Sequence, residues 1–147
     1  MARFSVLVLS GPSLDRLGAR EPELYGTTTL PEIVTARERF AAQHEARVVA
    51  RQSAHEGALI DWINGAAEEG FHGLVINPGA YTHTSIALYD ALRATHLPAI
   101  EVHLSNVHRR EPFRHHSYLS DQAVGVVAGL GPAGYRFALE YAIDALR

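Results

Sequence analysis

A polar loop with repeated glycines, from Gly11 to Gly26, places Arg20 and Tyr25 shortly after an apolar run. A tyrosine is a poor base because its phenol has a pKa of about 10. A neighbouring guanidinium favours the phenolate, and at about 4 Å in an effective dielectric near 20 it supplies about 4 kcal/mol. That is close to the roughly three pKa units that ionisation near neutrality requires. The loop therefore predicts a tyrosine base whose pKa is lowered by an arginine.

A second candidate pair is Glu101 and His103, which alternate along an apolar strand pattern and so share a face. The carboxylate would orient the imidazole or favour its charged form, which suits an acid. The alternative is a histidine with a purely structural role, whose hydrogen bonds are satisfied at the end of a strand. A metal site that also uses His108, His115 and His116 is disfavoured, because the chain has no cysteine and no H-E-x-x-H spacing.

Further polar stretches follow other apolar runs. The turn from Asn77 to Thr84 is rich in donors, although Thr82 or Thr84 would serve equally as helix caps. After His103, the run Leu104-Ser105-Asn106 offers consecutive backbone N–H groups that suit a carboxylate. Arginines at positions 109, 110 and 114 come next; they read as a solvated basic face, except that Phe113 would hold Arg114 near the sheet edge.

Composition excludes several classes of function. The 147 residues suit a single domain, 1–147, and the basic residues are all arginine. Without lysine there is no imine or pyridoxal chemistry, and without cysteine there is no thiolate catalysis. A net charge of −3 argues against nucleic acid as a partner. No apolar run reaches membrane-spanning length and no signal peptide is evident, so we expect a cytoplasmic protein with no membrane partner.

The elements that must position these residues alternate along the chain. Apolar runs at 4–9, 48–50, 74–76, 100–102 and 123–128 predict five short buried strands. Helical patterns fall between them; the clearest opens with the capping box Thr29-Leu30-Pro31-Glu32, and the last begins near Pro132. The inward-facing helical residues are expected to be Ile33, Ala36, Phe40, Ala41, Leu59, Ile60, Ile63, Ala67, Ile86, Leu88, Ala91, Leu92, Tyr135, Leu139, Ala142 and Leu146.

This alternation predicts an α/β fold with a flavodoxin-like, doubly wound five-stranded parallel sheet and helices on both faces. Ligands of such sheets bind beyond the carboxyl ends of the strands, where the polar stretches lie. The segment 129–134 matches G-x-G-x-x-G, but no second strand and no acidic residue about 20 positions on follow it. Tight packing of helix on sheet explains these glycines better than a dinucleotide does.

Four motifs in order resemble type II 3-dehydroquinate dehydratase across nearly the whole chain. They are G-P-x-L-x-x-L-G-x-R-E-P-x-x-Y-G, then Q-S-x-H-E-G, then I-N-P-G-A-Y-T-H-T-S, then E-V-H-L-S-N-V-H-x-R-E-P-F-R-H-H-S-Y. The resemblance implies a flavodoxin-like hydro-lyase of the shikimate or quinate pathway that converts 3-dehydroquinate to 3-dehydroshikimate without metal or cofactor. It also implies trimers packed into a dodecamer.

The resemblance further implies roles for individual residues. Tyr25 would take a proton from C2, Arg20 would lower its pKa from a lid, and His103, oriented by Glu101, would protonate the leaving C1 hydroxyl. The substrate would be held by Asn77, Gly79, His83, Leu104, Ser105 and Arg114, and by Asp90 of a neighbouring subunit.

The chain departs from the family at Ser13, and also at Asp15 and Ala54. Ser13 stands where the family has the asparagine of G-P-N, whose amide helps to stabilise the enolate. Losing one oxyanion donor typically costs about 100- to 1000-fold in turnover. We expect a slowed enzyme, and the alternative is a low-activity or non-catalytic homologue that binds small anions in a regulatory role.

Overall fold

The computed structural model describes residues 4–19, 23 and 27–146. Five strands form one parallel sheet in the order β2-β1-β3-β4-β5, which confirms the predicted flavodoxin-like fold. The strands are β1 Phe4–Ser10, β2 Ala46–Gln52, β3 Gly73–Asn77, β4 Ala99–His103 and β5 Gly125–Ala128. The register pairs Ser10 with both Gln52 and Asn77, so the carboxyl ends of the three strands are level.

Four α-helices cover the sheet: α1 Leu30–Gln43, α2 Glu56–Gly65, α3 Ile86–Thr95 and α4 Ala133–Ala145. Helices α1 and α4 pack on one face with Ile33 and Leu139, whereas α2 and α3 pack on the other with Ile63 and Leu92. The predicted capping box opens α1, where the Thr29 side chain accepts a hydrogen bond from the Glu32 N–H at 3.3 Å. Within residues 4–19, 23 and 27–146, no helix is long and apolar enough to cross a bilayer.

Several details of the predicted core are wrong. Strand β5 begins at Gly125 rather than Ala123 and is not buried, because it forms the sheet edge and leaves Val126 47% exposed. Ala36, Ala67 and Ile86 point to solvent, and Ala66 is buried in place of Ala67 because α2 ends at Gly65.

The glycine motif at 129–134 joins β5 to α4 by backbone geometry. Gly129 and Gly131 have φ values of 89° and 62°, a left-handed region that favours glycine. A Cβ on Gly134 would lie 3.4 Å from Val102 Cγ1, so the helix packs closely on β4. The packing explanation for this motif therefore agrees with its geometry.

Candidate active site

A cleft of about 570 Å³ lies beyond the carboxyl ends of β1, β3 and β4. This is the edge at which parallel α/β sheets bind ligands. Short 3-10 helices at Leu14–Arg16, Gly79–His83, Val107–Arg109 and Pro112–Arg114 surround it. The lining residues are Pro12, Ser13, Leu14, Asn77, Gly79, Ala80, His83, His103, Leu104, Ser105, Val107, Arg110 and Arg114.

Two glycines bring the loops after β1 and β3 into contact. A Cβ on Gly11 would lie 2.4 Å from the Pro78 carbonyl oxygen, a distance that no side chain tolerates. Gly79 has a φ of 60°, and its Cβ would lie 3.1 Å from the Pro12 carbonyl oxygen. The Gly11 N–H also donates to the Asn77 carbonyl oxygen at 2.8 Å. The two loops therefore form one continuous wall of the cleft.

Ser13 lies on this wall in a left-handed backbone conformation, with φ 66° and ψ 0°. Its position is the N-cap of the helix Leu14–Arg16, but its side chain makes no capping hydrogen bond. Among residues with a Cβ, asparagine and aspartate adopt this conformation most readily, whereas serine has no such preference. The backbone here thus favours an asparagine independently of any chemistry.

The side chain of Asn77, at the end of β3, is held by two neighbours. Its Nδ2 donates to the Tyr135 hydroxyl at 3.1 Å, and its Oδ1 accepts from the Gly79 N–H at 3.2 Å. Tyr135 in turn contacts Ser10 Oγ at 2.9 Å. Burial raises the pKa of Tyr135 to about 12, so its phenol stays neutral at any working pH. The amide of Asn77 therefore enters the cleft in a fixed orientation.

His103 and Glu101 are in contact at the end of β4. The imidazole Nε2 hydrogen bonds to Glu101 Oε2, and both side chains are buried, with Glu101 only 1% exposed. Burial raises the pKa of Glu101, but the hydrogen bond and charge of His103, together with the hydrogen bond from Ser120, outweigh it and hold that pKa below its usual range. No group in the described ranges hydrogen bonds to His103 Nδ1, so this nitrogen is available to a ligand in the cleft.

His83 lies on the same cleft with its tautomer fixed. Its Nδ1 donates to the His116 carbonyl oxygen at 2.8 Å. Burial is the main cause that lowers the pKa of His83, and the charges of His103 and Arg114 lower it further. A neutral imidazole that donates through Nδ1 presents Nε2 as an acceptor. His83 is therefore suited to accept a hydrogen bond from a hydroxyl group.

The remaining wall suits an anion. Leu104 and Ser105 are buried, and within residues 27–146 no backbone carbonyl accepts a hydrogen bond from either N–H. Arg114 Nε donates to Glu111 Oε2 at 2.6 Å, and its guanidinium stacks 5.2 Å from the Phe113 ring centroid. Phe113 is 68% exposed, so this stacking does not anchor Arg114 to the sheet edge as expected. Arg114 lines the cleft, and its ion pair with Glu111 lies at the surface, where Glu111 is 49% exposed.

The remaining predicted site residues are Arg20, Tyr25 and Asp90. Arg20 and Tyr25 lie outside the described residues. Asp90 is exposed on α3 and does not line the cleft of its own chain, so its contribution to a neighbouring subunit stays a prediction. Among residues 4–19, 23 and 27–146, no group of three histidine or carboxylate side chains is placed to hold a metal ion.

Several contacts were missed at the sequence level. Neither Thr82 nor Thr84 caps α3; Ser85 Oγ does, by accepting from the Leu88 N–H at 2.9 Å. Thr82 instead donates to Glu101 Oε2 at 3.1 Å. Only the position of Thr82 within a polar motif signals this role, because a threonine there equally suits a cap. Tyr135 was expected in the core, but nothing in the sequence links its hydroxyl to Asn77.

Comparison with known proteins is consistent across sequence and structure. Residues 4–143 match the model of the family described as dehydroquinase class II. A 3-dehydroquinate dehydratase of Ralstonia pickettii is 61% identical over 95% of this chain and 90% of its own. A catabolic 3-dehydroquinase of Aspergillus clavatus is 53% identical over 93% of this chain and 91% of its own.

A solved structure gives the same result. The crystal structure of type II dehydroquinase from Propionibacterium acnes superposes with a TM-score of 0.91 at 42% identity, over 97% of each chain. The similarity therefore extends through all five strands and the loops that line the cleft.

Proposed function

The chain belongs to the dehydroquinase class II family, and from that premise we propose that it removes water from 3-dehydroquinate to give 3-dehydroshikimate. Such an enzyme is a hydro-lyase. The observation that carries the proposal is the convergence of the Glu101–His103 pair, Asn77, His83 and the Ser105 wall on one cleft at the sheet edge. These groups supply an acid, two hydrogen-bond partners for hydroxyl groups and a binding site for a carboxylate.

In the proposed reaction Tyr25 is the base and His103 is the acid. The phenolate takes the proton from C2, and the electron pair of that bond forms an enolate with its charge on the C3 oxygen. Collapse of the enolate forms the C1–C2 double bond while the C1–O bond breaks. His103 gives a proton to the departing hydroxyl, which leaves as water. Arg20 supplies the cation that makes the phenolate accessible near neutrality.

The cleft orients the substrate between two sets of partners. The carboxylate binds the Leu104 and Ser105 backbone N–H groups, the Ser105 hydroxyl and Arg114, since guanidinium forks and free amides both suit carboxylates. Ring hydroxyls bind Asn77 and His83, and Gly79 allows the ring to approach the backbone closely. Asp90 of a neighbouring subunit completes the site in a dodecamer built from trimers. No metal or cofactor takes part.

Ser13 gives a second candidate function. Its side chain is shorter than that of asparagine and offers a single hydroxyl donor to the enolate, so the anion pocket would remain while turnover falls. The rival is then a homologue that binds small anions with little turnover. The presence of Tyr25, Arg20, His103 and Arg114 together favours the enzyme, because a binding protein needs neither base nor acid.

The deciding experiment adds 3-dehydroquinate and follows the absorbance of the conjugated product. We expect product formation that Tyr25→Phe and His103→Ala each abolish. A flat trace with intact binding of the substrate would establish the rival instead. The kcat/KM profile against pH should also show an essential base below about pH 9 that disappears in Arg20→Ala.

A further inference from the structure

Three hydroxyl groups surround Glu101 on the side away from the cleft. Thr82 Oγ1 donates to Glu101 Oε2 at 3.1 Å, and Ser120 Oγ donates to Oε1 at 2.9 Å. Ser117 Oγ hydrogen bonds to Thr82 Oγ1 and accepts from the Leu119 N–H at 3.2 Å. Because the single proton of Thr82 goes to Glu101, the proton between the two hydroxyls comes from Ser117. Both carboxylate oxygens therefore have a hydroxyl donor.

The three hydroxyl groups come from two separate parts of the chain, which a backbone hydrogen bond joins. Thr82 lies in the helix Gly79–His83, which lines the cleft, whereas Ser117 and Ser120 lie in the segment that leads to β5. The Tyr118 N–H donates to the Thr82 carbonyl oxygen at 2.8 Å, which fixes one part on the other. Neither serine is fully buried, whereas Thr82 is 0% exposed. These three hydroxyl groups, of Thr82, Ser117 and Ser120, form a cage around Glu101 that extends from the surface to the interior of the site.

We propose that Thr82, Ser117 and Ser120 are positioning residues that keep Glu101 ionised and aligned against His103. A carboxylate buried to this degree takes up a proton unless donors compensate for lost water. A protonated Glu101 would no longer present an anionic oxygen to His103 Nε2, so the acid would lose the carboxylate that orients it. The inference rests on the proposed function, because it concerns the acid of that reaction.

The other charged and titratable groups that face Glu101 come from β4 and from the short helices and loops around it, but not from β5. A cavity of about 330 Å³ behind His103 joins the carboxylate to these groups. On its walls, β5 contributes only Val126 and Ala128, which carry no charge. The titratable or charged groups of the cavity, apart from Glu101 itself, are His83, His103, His108, Arg114 and His115. All are cationic or can become so, whereas the hydroxyl groups are donors that stay neutral at every working pH.

The test removes one hydroxyl donor at a time and measures the titration midpoint of the Glu101 carboxylate directly. Thr82→Val keeps the volume of the side chain and removes its donor, and Ser120→Ala removes the donor from a different segment. In protein labelled with ¹³C glutamate, the Glu101 signal is assigned by its loss in Glu101→Gln. We expect its titration midpoint to rise by about one pH unit in each variant, a tenfold change in proton affinity or about 1.4 kcal/mol.

Two further variants make the result specific. Thr95→Val makes the same chemical change at a threonine whose buried Oγ1 has no hydrogen-bond partner among the described residues, and it should leave the midpoint unchanged. Thr82→Ser restores the donor and should restore the midpoint. Under the proposed function, the acidic limb of the kcat/KM profile should move upward with the midpoint in Thr82→Val and Ser120→Ala.

Unchanged midpoints in the folded Thr82→Val and Ser120→Ala proteins would overturn the inference, as would an equal shift in Thr95→Val. A shifted midpoint with an unmoved kcat/KM profile would also overturn it, because the cage would then not act on the reaction. The titration needs no substrate. An inactive wild-type protein would therefore refute the proposed function while the NMR result still reports on the cage.

Discussion

The hydroxyl of Tyr135, on α4, accepts a hydrogen bond from Asn77 Nδ2 at 3.1 Å at the end of β3. The phenol also contacts Ser10 Oγ at 2.9 Å, so one buried side chain joins the ends of β1 and β3. Asn77 is 2% exposed and its amide can turn only if this contact breaks. A core residue on the covering helix therefore sets the orientation of a side chain in the cleft.

Tyr135→Phe should weaken both the fold and the binding of substrate. The substitution leaves a buried amide hydrogen without its acceptor, which costs about 1–3 kcal/mol in the free energy of unfolding. We expect KM for 3-dehydroquinate to rise roughly tenfold, with a smaller change in kcat, as a mispositioned binding group predicts. Urea unfolding and steady-state kinetics measure the two effects.

The matched control is Tyr141→Phe, on the same helix, where the side chain is 52% exposed. It should change neither quantity measurably. Equal effects of the two substitutions would show that the Asn77 contact is not responsible.

Gly11→Ala should disrupt the wall of the cleft. The added Cβ would lie 2.4 Å from the Pro78 carbonyl oxygen, so the two loops must separate. We expect a loss of about 1–3 kcal/mol in the free energy of unfolding, together with weaker substrate binding. In contrast, Gly57→Ala places its Cβ in open space within α2 and should raise the free energy of unfolding by about 0.5–1 kcal/mol. Urea unfolding of the pair tests the difference in sign.

The fold could be predicted from sequence because strands and helices leave different apolar periods and alternate regularly. Periodicity identifies an apolar run but not its depth, so β5 was expected to be buried although it forms the edge of the sheet. Likewise Ile86 fits an inward helical position, but it is the first residue of α3 and 58% exposed.

The site could be predicted in part for a similar reason. Parallel strands bring their carboxyl ends to one edge, so Asn77 and His103 were expected to be near each other. The supporting contacts could not be predicted, because Ser120 and Glu101 are 19 residues apart and a lone serine carries no spacing signal. Long-range side-chain contacts of this kind depend on how the loops pack, which no local pattern records.

Glu101 should make the stability of the protein depend on pH in the acid range. Since hydrogen bonding holds its pKa below the usual value of about 4.3, the unfolded chain binds the proton more readily. The contribution of Glu101 to the free energy of unfolding is complete above the pKa of the unfolded chain. It is lost as the pH falls through the pKa of the folded protein. Between about pH 5 and pH 3, the free energy of unfolding of wild type should therefore fall more steeply than that of Glu101→Gln.

Urea unfolding over this range provides the measurement. Glu68→Gln, an exposed position on the surface, should follow the wild-type curve. Parallel curves for wild type and Glu101→Gln would contradict the role of the buried carboxylate.

Ser13→Asn should improve both the fold and the reaction, and the two effects can be separated. A left-handed residue with a Cβ costs roughly 1–2 kcal/mol, and asparagine reduces that cost because its side chain hydrogen bonds locally. Ser13→Gly relieves the same backbone but adds no donor. We expect Ser13→Asn alone to raise turnover, by up to about 100- to 1000-fold, since only the amide restores a full donor to the enolate. If Ser13→Gly raises turnover equally, backbone strain at position 13 limits the reaction. If neither substitution raises turnover, Ser13 does not limit the reaction.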